Sequence, residues 1–264
     1  MAALSICTSV NAEALTNSAF ETLGAADVVI VGEQHDNPIH HANQAAIARA
    51  IYPSAVVFEM LTAEQAEAGQ AAGSSTIAEL DAALEWSARG EWPSFHMYYP
   101  IFAAAPQARI YGAAVPRDQV RAAIADGAAS QFESAAKYGL DMALTTGEQS
   151  AREAMQAAAH CNMLPTDTVS GMVEAQRLRD ASFAKVTLQA LKETGGPVLV
   201  ITGNGHARTD WGIPTYLRRV APDAASISVG QLVTGEISPP YDRWIMTRFF
   251  DAGKGDPCEV FSSN

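Results

Sequence analysis

Six short apolar runs, rich in β-branched residues, punctuate the chain: DVVIVG (27–32), SAVVFEM (54–60), ARIYGAAV (108–115), PVLVIT (197–202), ASISVGQL (225–232) and RWIMTRF (243–249). Runs of this length without polar alternation suit strands buried on both faces, as in a parallel sheet covered by helices. Between the first two lies PIHHANQAAIARAI (38–51), with Pro38 near its start and apolar residues at helical spacing, which predicts a helix and so a β-α-β unit. The alternation continues and predicts an α/β fold: a mostly parallel sheet flanked by helices. Two stretches are too long for simple crossovers. Residues 62–105 carry the aromatic cluster Trp86, Trp92, Phe95, Tyr98, Tyr99 and Phe102, and residues 117–194 read as four helices, with Gly127, Gly139 and Gly195 as C-terminal stops. They are read as helical insertions forming a lobe over one edge of the sheet. With no repeat, low-complexity tract or linker, the chain reads as one domain, 1–264, with its core at about 25–60, 108–118 and 196–250 and insertions at about 61–107 and 119–195.

The charge balance sharpens this picture mostly by exclusion. Against 29 Asp+Glu stand 17 Lys+Arg, a net charge of −12, which excludes nucleic acid and anionic membranes as expected partners. No run of some twenty apolar residues exists, so no transmembrane segment is expected. The first residues lack a basic segment and do not read as a signal peptide, which predicts a cytoplasmic protein. Cys7, Cys161 and Cys258 are distant from one another and odd in number, implying neither a disulfide framework nor a thiolate zinc site.

The chemistry-bearing residues follow the strands. The first run leads into Glu33-Gln34-His35-Asp36, the second into Glu59, the third into Pro116-Arg117-Asp118 and the fourth into Gly203-Asn204-Gly205-His206. In a parallel sheet all carboxyl ends share one edge, where open α/β folds bind ligands. His35 and His206 with a carboxylate suit a divalent metal such as zinc; Glu33 or Glu59 would then serve as base in a metal-dependent hydrolase, with Arg117 close by. Glycines before both histidines (Gly32, Gly203, Gly205) would let the backbone approach a ligand. Singly, each Gly-x-x-His segment reads as a turn whose histidine caps a helix; together with Glu59 they favour function. A dinucleotide loop is not supported, since Arg208 stands where a third glycine is needed, and no Gly-x-Ser-x-Gly elbow is present.

The other histidines read as structural. His40 and His41 are expected as a solvated pair beside the rim, from which one could reach the site, His96 as a core or hydrogen-bonded residue, and His160 as a helix C-terminus, where imidazolium favours the dipole. The aromatic stripe is most simply packing; its sharper reading is a flat apolar cleft with a tyrosine oxygen available to ferric iron.

GEQHDNPIHH, VVFEM, the Trp-Pro…Tyr-Tyr-Pro-Ile segment, AAVPRD, HCNMLP, AQRLRDA and TGNGHARTDWGIPTYL together resemble the ChaN-like haem-binding uptake proteins of the Tiki superfamily, from about residue 25 to residue 230. The resemblance implies haem as cofactor, a homodimer enclosing two haems, and a role in haem uptake, storage or trafficking. It implies Tyr98 or Tyr99 and His160 or His96 as haem ligands, with Arg117, Arg121, Arg177, Arg179 or Arg208 for the propionates. The wider superfamily includes metal-dependent proteases and erythromycin-esterase-like proteins, for which the site would be Glu33, His35, Glu59 and His206. Uptake members are usually lipoproteins; Leu4-Ser5-Ile6-Cys7 is only a distant likeness to a lipobox, so membrane anchoring would require a start upstream of the one given.

Overall fold

The computed structural model describes residues 13–14, 17–73, 76–233 and 240–250. The Leu4–Cys7 segment and Cys258 lie outside them. In chain order the strands are β1 (Glu13–Ala14), β2 (Val28–Glu33), β3 (Ala55–Phe58), β4 (Arg109–Gly112), β5 (Val198–Gly203), β6 (Ser226–Leu232) and β7 (Arg243–Met246). Helix α1 (Pro38–Ile51) joins β2 to β3; α2 (Ala63–Ala72), α3 (Ile77–Ala83), α4 (Trp86–Arg89) and α5 (Phe95–Ala104) precede β4. Then come α6 (Arg117–Asp126), α7 (Ala135–Tyr138), α8 (Thr146–Ala159) and α9 (Thr166–Thr194), with α10 (Asn204–Ala207) and α11 (Ile213–Val220) after β5.

All strand pairs are parallel, in the order β1-β7-β6-β2-β5-β3-β4, so the chain has the α/β fold expected of its runs. The two-residue β1 had no counterpart among those runs. Strand β5 inserts between β2 and β3, pairing Val28 with Val198 on one side and Ala55 with Val198 on the other. The central strands bury both faces. Val29, Val31, Val56, Phe58, Leu199 and Ile201 join one core with α1, α3, α4 and α5, whereas Val28, Ile30, Val57, Val198 and Val200 join another with α6, α7, α9 and α11. The two insertions therefore do not build one lobe over a sheet edge. They cover opposite faces, because both side-chain parities of each strand are apolar and each face needs its own helical layer.

Helix ends follow local chemistry. Asn37 caps α1 by accepting from the Ile39 amide at 3.0 Å, and Pro38 occupies the first turn, where its missing N–H costs nothing. Gly127, Gly139 and Gly195 close α6, α7 and α9 at positive φ, as expected. One expectation fails: Cys161 is disulfide-bonded. Wide sequence spacing does not bear on which thiols folding brings together. Among the described residues no helix is long and apolar enough to cross a membrane.

Candidate functional site

The carboxyl ends of β2, β3 and β5 meet because Glu33 is in register with Gly203, and the Glu59 amide donates to the Ile201 carbonyl at 3.1 Å just past β3. Glu33 shares the strand parity of Val29 and Val31 and so points to the α1/α5 side, where it is wholly buried and fully engaged. Its Oε1 accepts from the Tyr98 hydroxyl at 2.6 Å and from His35 Nδ1 at 2.7 Å; its Oε2 accepts from Gln44 Nε2 at 2.7 Å and lies 3.4 Å from His41 Nδ1. Burial alone would raise this carboxyl, but the hydrogen bonds and charges of His35 and His41 outweigh it and hold Glu33 at about 2. Burial likewise works against charge on His35, yet Glu33, Glu59 and Asp36 together raise it to about 9.

His40 and His41 are buried, correcting the solvated pair expected, and His41 is the one that reaches the site. His41 donates through Nε2 to the His35 carbonyl at 2.8 Å, and its ring lies 4.2 Å from that of Tyr98. Its pKa is raised because Glu33 overcomes the effect of burial. His40 accepts from the Gln34 amide through Nδ1 at 2.9 Å, leaving Nε2–H to donate to Thr247 at 2.9 Å. Burial pushes His40 down to about 4, so it stays neutral and pins the β2–α1 turn.

Across β5, Glu59 accepts from Thr202 Oγ1 and from the Gly203 amide, both at 2.7 Å, and its other oxygen lies 3.6 Å from His206 Nε2. His206 sits on α10 and turns Nδ1 to Asp180 of α9 at 2.6 Å, with Gln176 Nε2 3.0 Å from the same nitrogen. Burial opposes charge on His206, but Glu59 and Asp180 raise it; burial pushes Asp180 above the usual carboxylate range, against the pull of His206. A Cβ on Gly203 would lie 3.1 Å from His35 Nε2, and one on Gly32 would strike Asn204, so these two glycines let the two halves of the site close on each other.

The structure thus brings Glu33, His35, Glu59 and His206 to one rim. Of these, Glu59 lines a cleft of about 390 Å³ walled by Met60, Trp92 and Phe183 and edged by Arg89, Arg117 and Arg179. Trp92 packs edge-on against His35, ring centroids 4.9 Å apart. Arg117 stands at the cleft mouth, mostly exposed, 3.3 Å from Glu91. Asp180, Gln176, Gln44 and the hydroxyl of Tyr98 are partners that sequence reading missed as such. The spacing of Gln176, Arg179, Asp180 and Phe183 (i, i+3, i+4, i+7) on one face of α9 was the available signal.

The four residues considered for haem do not converge. Tyr98 is wholly buried with its hydroxyl given to Glu33, and burial pushes that hydroxyl far above its usual range, so it is closed to iron. Tyr99 lines a separate apolar groove of about 270 Å³ with Phe58, Phe102 and Ile110. His96 is exposed, where a core or hydrogen-bonded residue was expected. His160 caps α8, its Nδ1 2.8 Å from the Gln156 carbonyl oxygen. Nor is the zinc alternative supported. Among the described residues no group of three or more His, Cys, Asp or Glu side chains is disposed to hold a metal.

The family described as haem-binding uptake, Tiki superfamily, ChaN matches residues 19–217. The chain belongs to this family. The fold of this ChaN-family protein is similar to the structure titled "Cofacial heme binding to ChaN of Campylobacter jejuni", with a TM-score of 0.67 and 20% identity over 85% of this chain and 89% of that one. Weaker likenesses, with TM-scores of 0.47 and 0.45, are to a type III effector (12% identity; 87% of this chain, 92% of that one) and to an erythromycin esterase variant in its open conformation (13% identity; 82% and 73%). No curated protein matches the chain.

Proposed function

We propose that this ChaN-family protein binds haem in the strand-end cleft and serves haem uptake, storage or trafficking, with two copies of the chain pairing around the ligand. The family match over residues 19–217 carries the reading. The cleft suits the group chemically: Met60, Trp92 and Phe183 offer apolar walls, arginines offer cations for propionates, and His35 keeps Nε2 free of hydrogen-bonding partners while Nδ1 is held by Glu33. Bound haem would supply a redox-active iron centre there. To ligate it, His35 must give up the proton that Glu33 and Glu59 favour, so binding should strengthen as pH rises toward about 9. The Cys161 disulfide supports an oxidising compartment over the cytoplasm. Titration with ferric haem should give a saturable Soret change, weakened and shifted by His35→Ala and untouched by Tyr99→Phe. The reverse pattern would move the ligand to the groove lined by Tyr99, and no saturable change would remove haem altogether.

One observation favours a second reading, a metal-free hydrolase: two carboxylate–imidazole pairs, Glu33–His35 and Asp180–His206, flank Glu59 at the same strand-end rim. Such pairs can shuttle protons to a leaving group. Turnover of an activated ester should fall about 100-fold or more in His206→Ala; wild-type protein without turnover would end this reading.

A further inference from the structure

Of the five arginines considered for a ligand's anionic groups, four are engaged or face elsewhere. Arg177 is buried and donates to Glu174 and to the carbonyls of Gly139, Leu140 and Met142. Arg208 forks onto Asp210 at 3.0 and 2.7 Å and covers Trp211. Arg121 is exposed on α6, away from the cleft, and Arg117 shares Glu91 with Arg89. Arg179 differs. It lines the cleft half-buried on the face of α9 that carries Asp180 and Phe183, and it makes no ion pair or hydrogen bond with any described residue.

A half-buried guanidinium without a counter-ion is unusual in a chain with 29 acidic residues. Three arginines line this cleft against two carboxylates, Glu59 and Glu91. Glu59 is committed to Thr202 and Gly203, and Glu91 is shared by the other two arginines. The imidazoles behind the cleft are matched by their own carboxylates, His35 by Glu33 and His206 by Asp180, so the three arginines against two carboxylates leave the cleft mouth cationic in an acidic protein.

We infer that Arg179 is the anchor for a carboxylate or phosphate of the ligand, with Arg117 and Arg89 closing over the same group when Glu91 releases them. The guanidinium fork matches either oxyanion with two parallel hydrogen bonds, and the half-buried setting makes them stronger than at an open surface. The inference builds on the cleft chosen in the proposed function, but it concerns the anionic group and stands whether that group belongs to a porphyrin propionate or to a smaller substrate.

Two probes separate these sources: ferric haem against its dimethyl ester, followed by the Soret band, and inorganic phosphate, followed by the emission of Trp92 with Trp92→Phe as reference. Arg179→Gln should weaken haem or phosphate binding about tenfold or more, with unchanged melting temperature and unchanged binding of the dimethyl ester. Arg179→Lys should restore part of the loss. If haem binds and only the free acid senses Arg179, the anion is a propionate. Phosphate binding that depends on Arg179, without haem binding, keeps this inference and overturns the haem reading. Equal binding of both probes by wild type and Arg179→Gln, or binding of neither probe by wild type, overturns it.

Discussion

Replacing Glu33 with alanine is expected to cost about 3–5 kcal/mol of folding stability, the largest effect of any single change at the site. The carboxylate is enclosed and meets Tyr98, His35, His41 and Gln44 at once. Its removal strands four donors, two of them on imidazoles that Glu33 helps keep charged, and leaves a small void beneath α5. Glu33→Gln keeps the volume and one acceptor but loses the charge, and should fall between the alanine variant and wild type. Tyr98→Phe removes only a hydroxyl, costing about 1–2 kcal/mol. The double variant Glu33→Ala/Tyr98→Phe should then be less destabilised than the two changes added, by roughly 0.5–3 kcal/mol. Urea unfolding of the four proteins checks this. A Glu33→Ala protein within about 1 kcal/mol of wild type would show that the carboxylate does not organise the site.

Stability should peak near pH 6.5 and fall on both sides. On the acid side, His40 has its folded pKa depressed from 6.5 to about 4, so the unfolded chain binds the extra proton and stability is lost as pH drops through that window. Below it, Glu33 must be protonated from about 4.5 down to about 2, and its hydrogen bonds are lost in turn. On the alkaline side, His35 has its folded pKa raised from 6.5 to about 9; its contribution is complete below 6.5 and is lost as pH rises to 9. Because His35 is 35% exposed, the alkaline limb should be the shallower. Melting temperatures should fall by about 5–10 °C between pH 6.5 and pH 4. In His40→Asn the upper part of the acid limb should disappear, and in Glu33→Gln both the lower acid limb and the alkaline limb should flatten. A melting temperature level from pH 4 to pH 9 would contradict the assigned protonation states.

Four of the site's residues were legible because each follows a strand whose apolar run announces itself. Once the sheet is parallel, Glu33, His35, Glu59 and His206 must share an edge. What the pattern could not convey was which groups complete them. Asp180 lies mid-helix on α9, and nothing local marks a lone carboxylate there as the partner of a histidine on another element. Tyr98 and Tyr99 are adjacent and chemically alike, yet helical rotation sends one hydroxyl into the core against Glu33 and the other ring into an apolar groove. The insertions could not be allotted to faces, since Val28 and Val29 are equally apolar and only packing decides which parity meets α1 and which meets α9. The insertion of β5 between β2 and β3 was also invisible, because run order carries no lateral order.

That placement of β5 has a consequence for how the molecule comes into being. Strands β2 and β3 are synthesised early but do not touch each other; each pairs with β5, whose residues follow only after the whole of α9. Until then β2 and the β3–β4 pair wait for a common neighbour, and the pairing that joins them closes very long loops, which makes for slow assembly and an interval of exposed edges. The rim is divided in the same way: Glu33, His35 and Glu59 belong to the first quarter of the chain, Asp180 and His206 to its second half. A nascent or truncated chain lacking β5 holds carboxylates and imidazoles in number, but the rim itself exists only once the sheet's centre has closed.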